Sequence, residues 1–429
     1  MPKAILLVLD GVADDPKLGK TSLELANIPH LDELARRSVG GGFYPIAPGI
    51  APESDAAVLS MLGYNPENYI IGRGILEALG AGLTIVEGHE VAFRANFATV
   101  DPKTRRLIDR RVGRSLTTEE ARELAKSLDG LNLGIHDGYV RFVATVGHRA
   151  VAIIGSRSKR LSADVSNIDP AYERRGRLSV AVKEFSPYIP RCKPLVDTEE
   201  ARVTCELVNR FVDMAIEILD KHPVNEERAR KGLLKANAVL LRDAEDRIPK
   251  VPPVSQLYQG LRFGAVAEMP VEKGISRLVG MEIAEVPPPT PDKAKDYPQR
   301  LERTLELLEK VDVVYVHLKG PDEPGHDGDK ERKVKSIELI DQYFVKPLLD
   351  KIDLSRVAVI VTADHATPPE LRAHSGTPVP LIVAYDGLPK KDGLQRFTER
   401  ECFEKGSIGV LDHGYLMLSK VLKLIGALR

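Results

Sequence analysis

Ala4-Ile5-Leu6-Leu7-Val8-Leu9-Asp10-Gly11 opens with six apolar residues and stops at a carboxylate followed by glycine. Apolar at every position rather than at alternate ones, such a run predicts a strand covered on both faces, as in a parallel sheet between helices. Residues 313–318, 357–362 and 381–384 repeat the pattern, with helical spacing between them. Short β-branched runs alternating with helices predict an α/β fold with a mainly parallel sheet flanked by helices. Three strands end at polar groups: Leu9 at Asp10, Leu318 at Lys319-Gly320-Pro321-Asp322, and Thr362 just before Asp364 and His365. Ligands bind at the carboxyl ends of such strands, so these groups are expected on one sheet edge.

At 429 residues the chain exceeds one ordinary core, because domains hold ~100–200 residues. Its 43% apolar and 29% charged residues exclude global disorder. A net charge of -1 argues against nucleic acid as a partner. Three cysteines, Cys192, Cys205 and Cys402, make no disulfide framework and no C-x-x-C zinc motif, so a reducing cytoplasm is the expectation. No stretch approaches the ~20 apolar residues of a membrane span. Five glutamines, no tryptophan, 30 prolines and abundant charge of both signs lean toward heat adaptation.

Alternating runs at 91–100 and 139–154, then an amphipathic stretch at 199–222, read as a second, α+β domain inserted into the first. The glycine-rich region 72–82 and the segment 273–291, with Val286-Pro287-Pro288-Pro289, serve as its borders. The expected division is 1–85 with 275–429 for the discontinuous sheet domain, and 86–274 for the insertion.

Ser54 and Asp55 begin an amphipathic helix after a loop bearing glycine and proline. Serine and aspartate are the best helix caps, which is the plain reading of that pair. A helix N-terminus also suits an incoming phosphate, but a neutral serine attacks only when a base or metal activates it. Candidate ligands are Asp10, Asp322, His326, Asp364, His365 and His374, and with Ser54 they make seven oxygen or nitrogen donors. Aspartate with histidine suits Mn²⁺, Zn²⁺, Co²⁺ or Mg²⁺, and the number of donors is enough for two ions. Two divalent ions side by side fit phosphoryl transfer, although sulfuryl transfer and simple hydrolysis use the same parts.

Asp10, the Ser54 helix, Asp322-x-x-x-His326, Thr362-Ala363-Asp364-His365 and His374 occur in the order that resembles the alkaline phosphatase superfamily. Val8 to Asp14, Phe93-Arg94-Ala95-Asn96-Phe97-Ala98-Thr99-Val100 and Gly147-His148-Arg149 extend the likeness to the archaeal type of cofactor-independent phosphoglycerate mutase. The resemblance implies an alkaline-phosphatase-like core and an inserted domain that binds substrate and closes as a lid. It places one metal on Asp10, Asp364 and His365 beside Ser54, and the other on Asp322, His326 and His374. It further implies that Ser54 takes the phosphoryl group from 3-phosphoglycerate and returns it to the 2-hydroxyl, with no 2,3-bisphosphoglycerate required. Homoserine-kinase-like, phosphopentomutase-like and phosphatase activities are the alternatives on such a scaffold, and a non-catalytic binding protein is the alternative of another class. Homo-oligomerisation is left open.

A substrate with carboxylate and phosphate calls for arginines. Candidates are Arg73, Arg110, Arg111, Arg114, Arg141, His148 and Arg149; each also has the ordinary reading of a surface charge paired with water or acids. His136 and Asp109 are weighed for proton transfer, and His317 is assigned to structure.

Overall fold

The N-terminal apolar run forms the strand Lys3–Leu9 inside an eight-stranded sheet. The computed structural model describes residues 1–69, 71–175, 178–182 and 184–429. Across the sheet the strands are Glu282–Ala284, Phe263–Ala267, Val313–Leu318, Lys3–Leu9, Val357–Thr362, Val379–Ala384, Ser38–Phe43 and Gly409–Leu411. The first five are mutually parallel. Val379–Ala384 runs against both neighbours, and the last pair is parallel again. Residues 4–9 are fully buried, which is why this strand carries no polar alternation. The four expected strands are all present. Ser38–Phe43 was not foreseen, because Gly40-Gly41-Gly42 argues against a strand. A side chain at Gly41 would strike Ile408 and the Gly409 carbonyl, so the glycines permit close packing there.

The chain separates into two units. One comprises Met1–Ile70, Val251–Glu268 and Ile275–Arg429, and contains the eight-stranded sheet. The other comprises Ile71–Lys250 and Met269–Gly274. A border falls at 274/275 as expected, but the first falls at 70/71 rather than 85/86, and residues 251–268 go with the sheet unit. The helix Arg73–Gly80 goes with the insertion, where a Cβ on Gly74 would overlap the carbonyl of Asp243 and one on Gly80 that of Pro270. Those glycines mark close packing rather than a linker. Residues 251–268 supply the strand Phe263–Ala267 to the main sheet.

In the inserted unit, the strand Glu90–Val100 pairs antiparallel with Arg149–Ser156 on one side and Ala238–Glu245 on the other. Gly138–Ala144 continues the sheet beyond Arg149–Ser156. The helix Glu199–Asp220 contributes Leu207, Phe211 and Ala215 to the core, alongside Phe97 and Phe142. Cys192 and Cys205 form a disulfide, with Cα atoms 5.0 Å apart, which the cysteine count did not anticipate. The approach is set by Asn209, whose amide accepts from Cys192 N–H at 2.9 Å and donates to its carbonyl at 3.2 Å.

Behind the loops that leave the main sheet lies a buried polar network. Lys333 Nζ donates to Asp14 Oδ1 (2.7 Å), Ala13 O (3.1 Å) and Thr367 O (2.8 Å), tying the loop after the first strand to the loop after Val357–Thr362. Glu399 accepts from Asp14 N–H and from the Thr21 hydroxyl, at 2.9 and 2.7 Å. Burial, helped by the nearby Asp14 carboxylate, pushes the Glu399 carboxyl from 4.5 up to about 7. The folded protein therefore holds a proton that the unfolded chain has lost between those values. This contribution to stability is fully present below pH 4.5 and lost as pH rises through 7, and it amounts to about 3 kcal/mol. Glu399→Gln keeps one acceptor for Asp14 N–H and removes the titration. Urea unfolding at pH 5 and pH 8 should show a smaller decline for the variant than for the parent; equal declines would refute the assignment.

Candidate active site

Ser54 is the first residue of the helix Ser54–Met61, and the cap position falls on Glu53 rather than on the serine. Its Oγ lies 3.1 Å from His365 Nε2. His365 and Asp364 follow the strand Val357–Thr362, and Asp10 follows Lys3–Leu9, its immediate neighbour. Asp364 Oδ1 accepts from the N–H groups of Gly11 and His365, both at 3.0 Å. Gly11 is required there: its φ is +58°, and a Cβ would meet Asp322 Oδ1 and Thr367 Oγ1 at 2.7 Å. Asp364 Oδ2 is buried without a hydrogen-bond partner, 3.3 Å from His365 Nε2.

Asp322 and His326 sit one turn apart on the short helix Asp322–Asp327, so both face the same way. His326 Nε2 is 3.4 Å from Asp322 Oδ1 and 3.1 Å from His374 Nε2, which is 3.5 Å from the same carboxylate oxygen. His374 Nδ1 lies 2.7 Å from Pro52 O and His326 Nδ1 3.3 Å from Arg372 O. Carbonyls only accept, so both Nδ1 atoms carry protons. With both rings neutral, two Nε2 lone pairs and a carboxylate would converge, an arrangement relieved by a proton on one ring or by a metal cation in its place. Thr367, which the sequence did not single out, links the halves: its hydroxyl donates to Asp322 Oδ1 at 2.8 Å and accepts from His365 Nδ1 at 3.0 Å. The His365 lone pair is thereby turned toward Ser54.

The charges fit the same picture. Burial, then the His374 ring, lowers His365 to about 3, so this imidazole is neutral. Burial, then the Asp10 carboxylate, raises Asp364 to about 7. For Asp10 burial acts upward as well, but the Lys319 ammonium at 3.1 Å and His317 overcome it and hold the group well below the carboxylate range. Burial would lower His374, yet the hydrogen bond and charge of Asp322 raise it to about 9. Asp10, Asp364 and His317 form one group of three potential metal ligands, and Asp322, His326 and His374 another. The orphaned Asp364 oxygen and the convergent imidazoles are what a pair of cation sites requires, so the donor set fits. His317, assigned to structure from sequence, places Nε2 3.4 Å from Asp10 Oδ1 and Nδ1 2.6 Å from the Tyr315 hydroxyl.

The candidate arginines belong to the inserted unit. Arg94 stands opposite Arg242, so two cations lie directly across from one another, while Arg149 stands opposite the neutral Asn96. Like charges so placed destabilise a sheet unless something anionic meets them. Glu77, Asp243 and Asp169 supply part of the compensation: Arg94 Nε lies 3.4 Å from Glu77, and Arg242 Nη1 2.7 Å from Asp169. Burial, reinforced by Arg73 and Arg242, still lowers Arg94 to about 9. Burial, then Arg149, Arg111, Arg242 and Arg114, lowers His148 to about 3. Arg73, Arg111, Arg114, His148 and Arg149 are thus brought together with Arg94 and Arg242, which the sequence reading did not select. Arg110 is engaged bidentately by Asp169 at 2.9 and 2.7 Å. Arg141 stands apart, bound to Glu90 at 2.9 Å and to the Thr84 carbonyl. His136 is paired with Glu206, and Asp109 accepts from Arg111 N–H.

Fold and site together define an α/β enzyme with a serine held among carboxylates and imidazoles at the carboxyl edge of its main sheet. The chain is 48% identical over 425 residues to the 2,3-bisphosphoglycerate-independent phosphoglycerate mutase of Aeropyrum pernix, covering 99% of both proteins. It is 39% identical over 406 residues to phosphoglycerate mutase 1 of the same kind from Archaeoglobus fulgidus, covering 94% of this chain and 93% of that one. The family described as 2,3-bisphosphoglycerate-independent phosphoglycerate mutase matches residues 35–225. Among solved structures, the cofactor-independent phosphoglycerate mutase of Thermoplasma acidophilum superposes with a TM-score of 0.62 at 28% identity, covering 99% of this chain and 100% of that one. A Pyrococcus horikoshii protein gives 0.75 at 29% identity, covering 100% and 98%. The chain belongs to the 2,3-bisphosphoglycerate-independent phosphoglycerate mutase family, whose members are isomerases. Among the described residues, no helix is long and apolar enough to cross a membrane.

Proposed function

We propose that the chain interconverts 3-phosphoglycerate and 2-phosphoglycerate, carrying the phosphoryl group on Ser54 and needing no 2,3-bisphosphoglycerate. The observation that carries this reading is the placement of Ser54 Oγ 3.1 Å from a neutral imidazole whose lone pair is turned toward it by Thr367. Asp10, Asp364 and His365 would hold one divalent cation beside Ser54, and Asp322, His326 and His374 a second. Bound there, two such ions would neutralise phosphoryl charge and favour the ionised serine. Three imidazoles among the ligands favour Mn²⁺, Zn²⁺ or Co²⁺ over Mg²⁺.

Ser54 Oγ bonds to phosphorus as the bond from phosphorus to the C3 oxygen of glycerate breaks. The C2 oxygen then bonds to phosphorus as the Ser54 ester breaks, and the proton lost from one hydroxyl returns to the other, so the isomerisation is balanced. The N–H groups at the start of Ser54–Met61 favour an anion at that position. Arg73, Arg94, Arg111, Arg114, Arg149 and Arg242, with His148 neutral among them, provide the charge to bind the glycerate carboxylate and to retain the intermediate.

Incubation with 3-phosphoglycerate as the sole phosphate compound, followed by ³¹P NMR, tests the reading. 2-Phosphoglycerate should accumulate to a constant ratio with its isomer. Free phosphate as the sole product would mean a hydrolase.

A further inference from the structure

Lys319 lies one residue past the strand Val313–Leu318, and its ammonium is 3.1 Å from Asp10 Oδ2. Its charge is also felt at Asp364 and His365, so it is paired with one of the residues proposed for the ion next to Ser54 and within electrostatic reach of the other two. What holds it there is unusual. Lys319 N–H donates to Glu268 Oε2 at 3.1 Å, and its carbonyl accepts from the Tyr297 hydroxyl at 2.8 Å. Glu268 turns its other oxygen to Arg300 Nε at 2.8 Å, in an ion pair whose side chains are both 0% exposed, and Arg300 Nη2 reaches Pro287 O at 2.6 Å. The next residue, Gly320, has φ +153°, and a Cβ there would collide with Ser336 Oγ and Tyr297 Oη.

A buried ion pair is a poor way to gain stability, because an apolar replacement of similar volume is often neutral or better. In this turn the pair also serves position, since Glu268 and Tyr297 fix both backbone polar groups of one lysine where only glycine fits next. A backbone so constrained leaves motion to the four-carbon stem, so the ammonium swings from a fixed base. Lysine suits a moving phosphoryl group, since its point charge can follow an oxygen that a rigid guanidinium fork cannot.

Building on the mutase reading, we infer that Lys319 is a catalytic residue whose ammonium binds a non-bridging phosphoryl oxygen during transfer to and from Ser54, with Glu268 and Tyr297 as its positioning residues. Lys319 stays protonated throughout. The Ser54 O–P bond forms as the glycerate O–P bond breaks, and the serine proton goes to the glycerate oxygen; the return step reverses both at the other hydroxyl. The lysine contributes charge where the loose transition state carries it, on the equatorial oxygens.

The test uses Lys319→Met, Tyr297→Phe and the double variant, each as metal-loaded full-length protein. Lys319→Met should keep two metals per chain and lose ~10²–10³-fold in kcat, as for removal of one electrostatic contact to a transition state. Added methylammonium or ethylammonium should restore part of the rate. Tyr297→Phe should lower kcat ~10-fold in the parent and less than ~2-fold in the Lys319→Met background, because coupled residues are not additive. A Lys319→Met rate within ~3-fold of the parent, loss of metal in parallel with activity, or equal Tyr297→Phe losses in both backgrounds would overturn the inference. Parent protein assayed alongside separates the two readings: if it forms no 2-phosphoglycerate, the mutase reading fails and this one with it, whereas an active parent with an unaffected variant removes Lys319 alone.

Discussion

Ser54→Ala is expected to remove mutase turnover, by at least ~10⁴-fold in kcat, while leaving both metal sites and the fold in place. The size follows from the role: a nucleophile that forms the covalent intermediate has no substitute nearby, and the remaining groups only bind and polarise. The fold should survive because the cap position falls on Glu53; Ala57 N–H is satisfied by the Glu53 carbonyl, at 3.0 Å, in serine and alanine alike. His365 keeps its proton on Nδ1 through Thr367, so its ligand atom stays aimed into the site. A coupled assay for 2-phosphoglycerate, metal content by elemental analysis and the thermal midpoint together check the prediction. Mass spectrometry adds a direct view: the parent mixed with 3-phosphoglycerate should carry a phosphate on the peptide containing Ser54, and the variant none. Substantial turnover by the variant, or a phosphate on another residue of the parent, would refute Ser54 as the carrier.

The order of motifs made the centre of this site legible, because Asp10, Asp364 and His365 follow strands and Ser54 and Asp322 begin helices, and such ends are written in local sequence. Asp10 after six apolar residues and Asp364-His365 after Val357–Thr362 needed only the rule that parallel strands deliver ligands at their carboxyl ends. What escaped was whatever depends on a neighbour distant in sequence. Thr367 looks like a turn residue until Asp322 and His365 are found on either side of its hydroxyl. Lys319 looks like part of a turn until Glu268, 51 positions earlier, is found on its N–H. Arg94 and Arg242 become a pair only through strand register, and a bulge at Asp243, with φ +56°, sets that register. One signal was available: in Phe93-Arg94-Ala95-Asn96-Phe97, period-two alternation turns Arg94 and Asn96 away from the face carrying the aromatic residues. The first border was misplaced for a related reason, since a glycine beside another backbone and a glycine in a linker look the same in sequence, and Gly72, Gly74 and Gly80 are all closely packed.

Asp364→Asn should act in opposite directions on the metal-free and the metal-loaded protein. The carboxylate oxygen Oδ1 accepts from Gly11 and His365 N–H, and asparagine can keep that acceptor, so the loops after both strands retain their anchor. Oδ2 is the buried atom without a partner, and burial beside Asp10 raises this carboxyl to about 7. A folded value raised above the unfolded one means that the group favours folding below pH ~4 and ceases to do so as pH rises through 7, so above neutrality the parent bears a buried charge that His317 and Lys319 offset only in part. Removing it should make the metal-free variant more stable than the metal-free parent at pH 8, and the advantage should shrink toward pH 5. With metal the order should reverse: the amide nitrogen faces the position meant for a cation, one equivalent of metal should be lost, and kcat/KM should fall at least ~10³-fold. Asp322→Asn provides the control, because its oxygen can still accept from Thr367 while the other cation site is impaired; it too should lose one equivalent, but from the group with His326 and His374. Thermal midpoints with chelator and with metal at both pH values, set beside metal stoichiometry, separate these outcomes. If Asp364→Asn bound two ions as tightly as the parent, Asp364 would not be a ligand, and the division of the carboxylates into two cation sites would have to be abandoned.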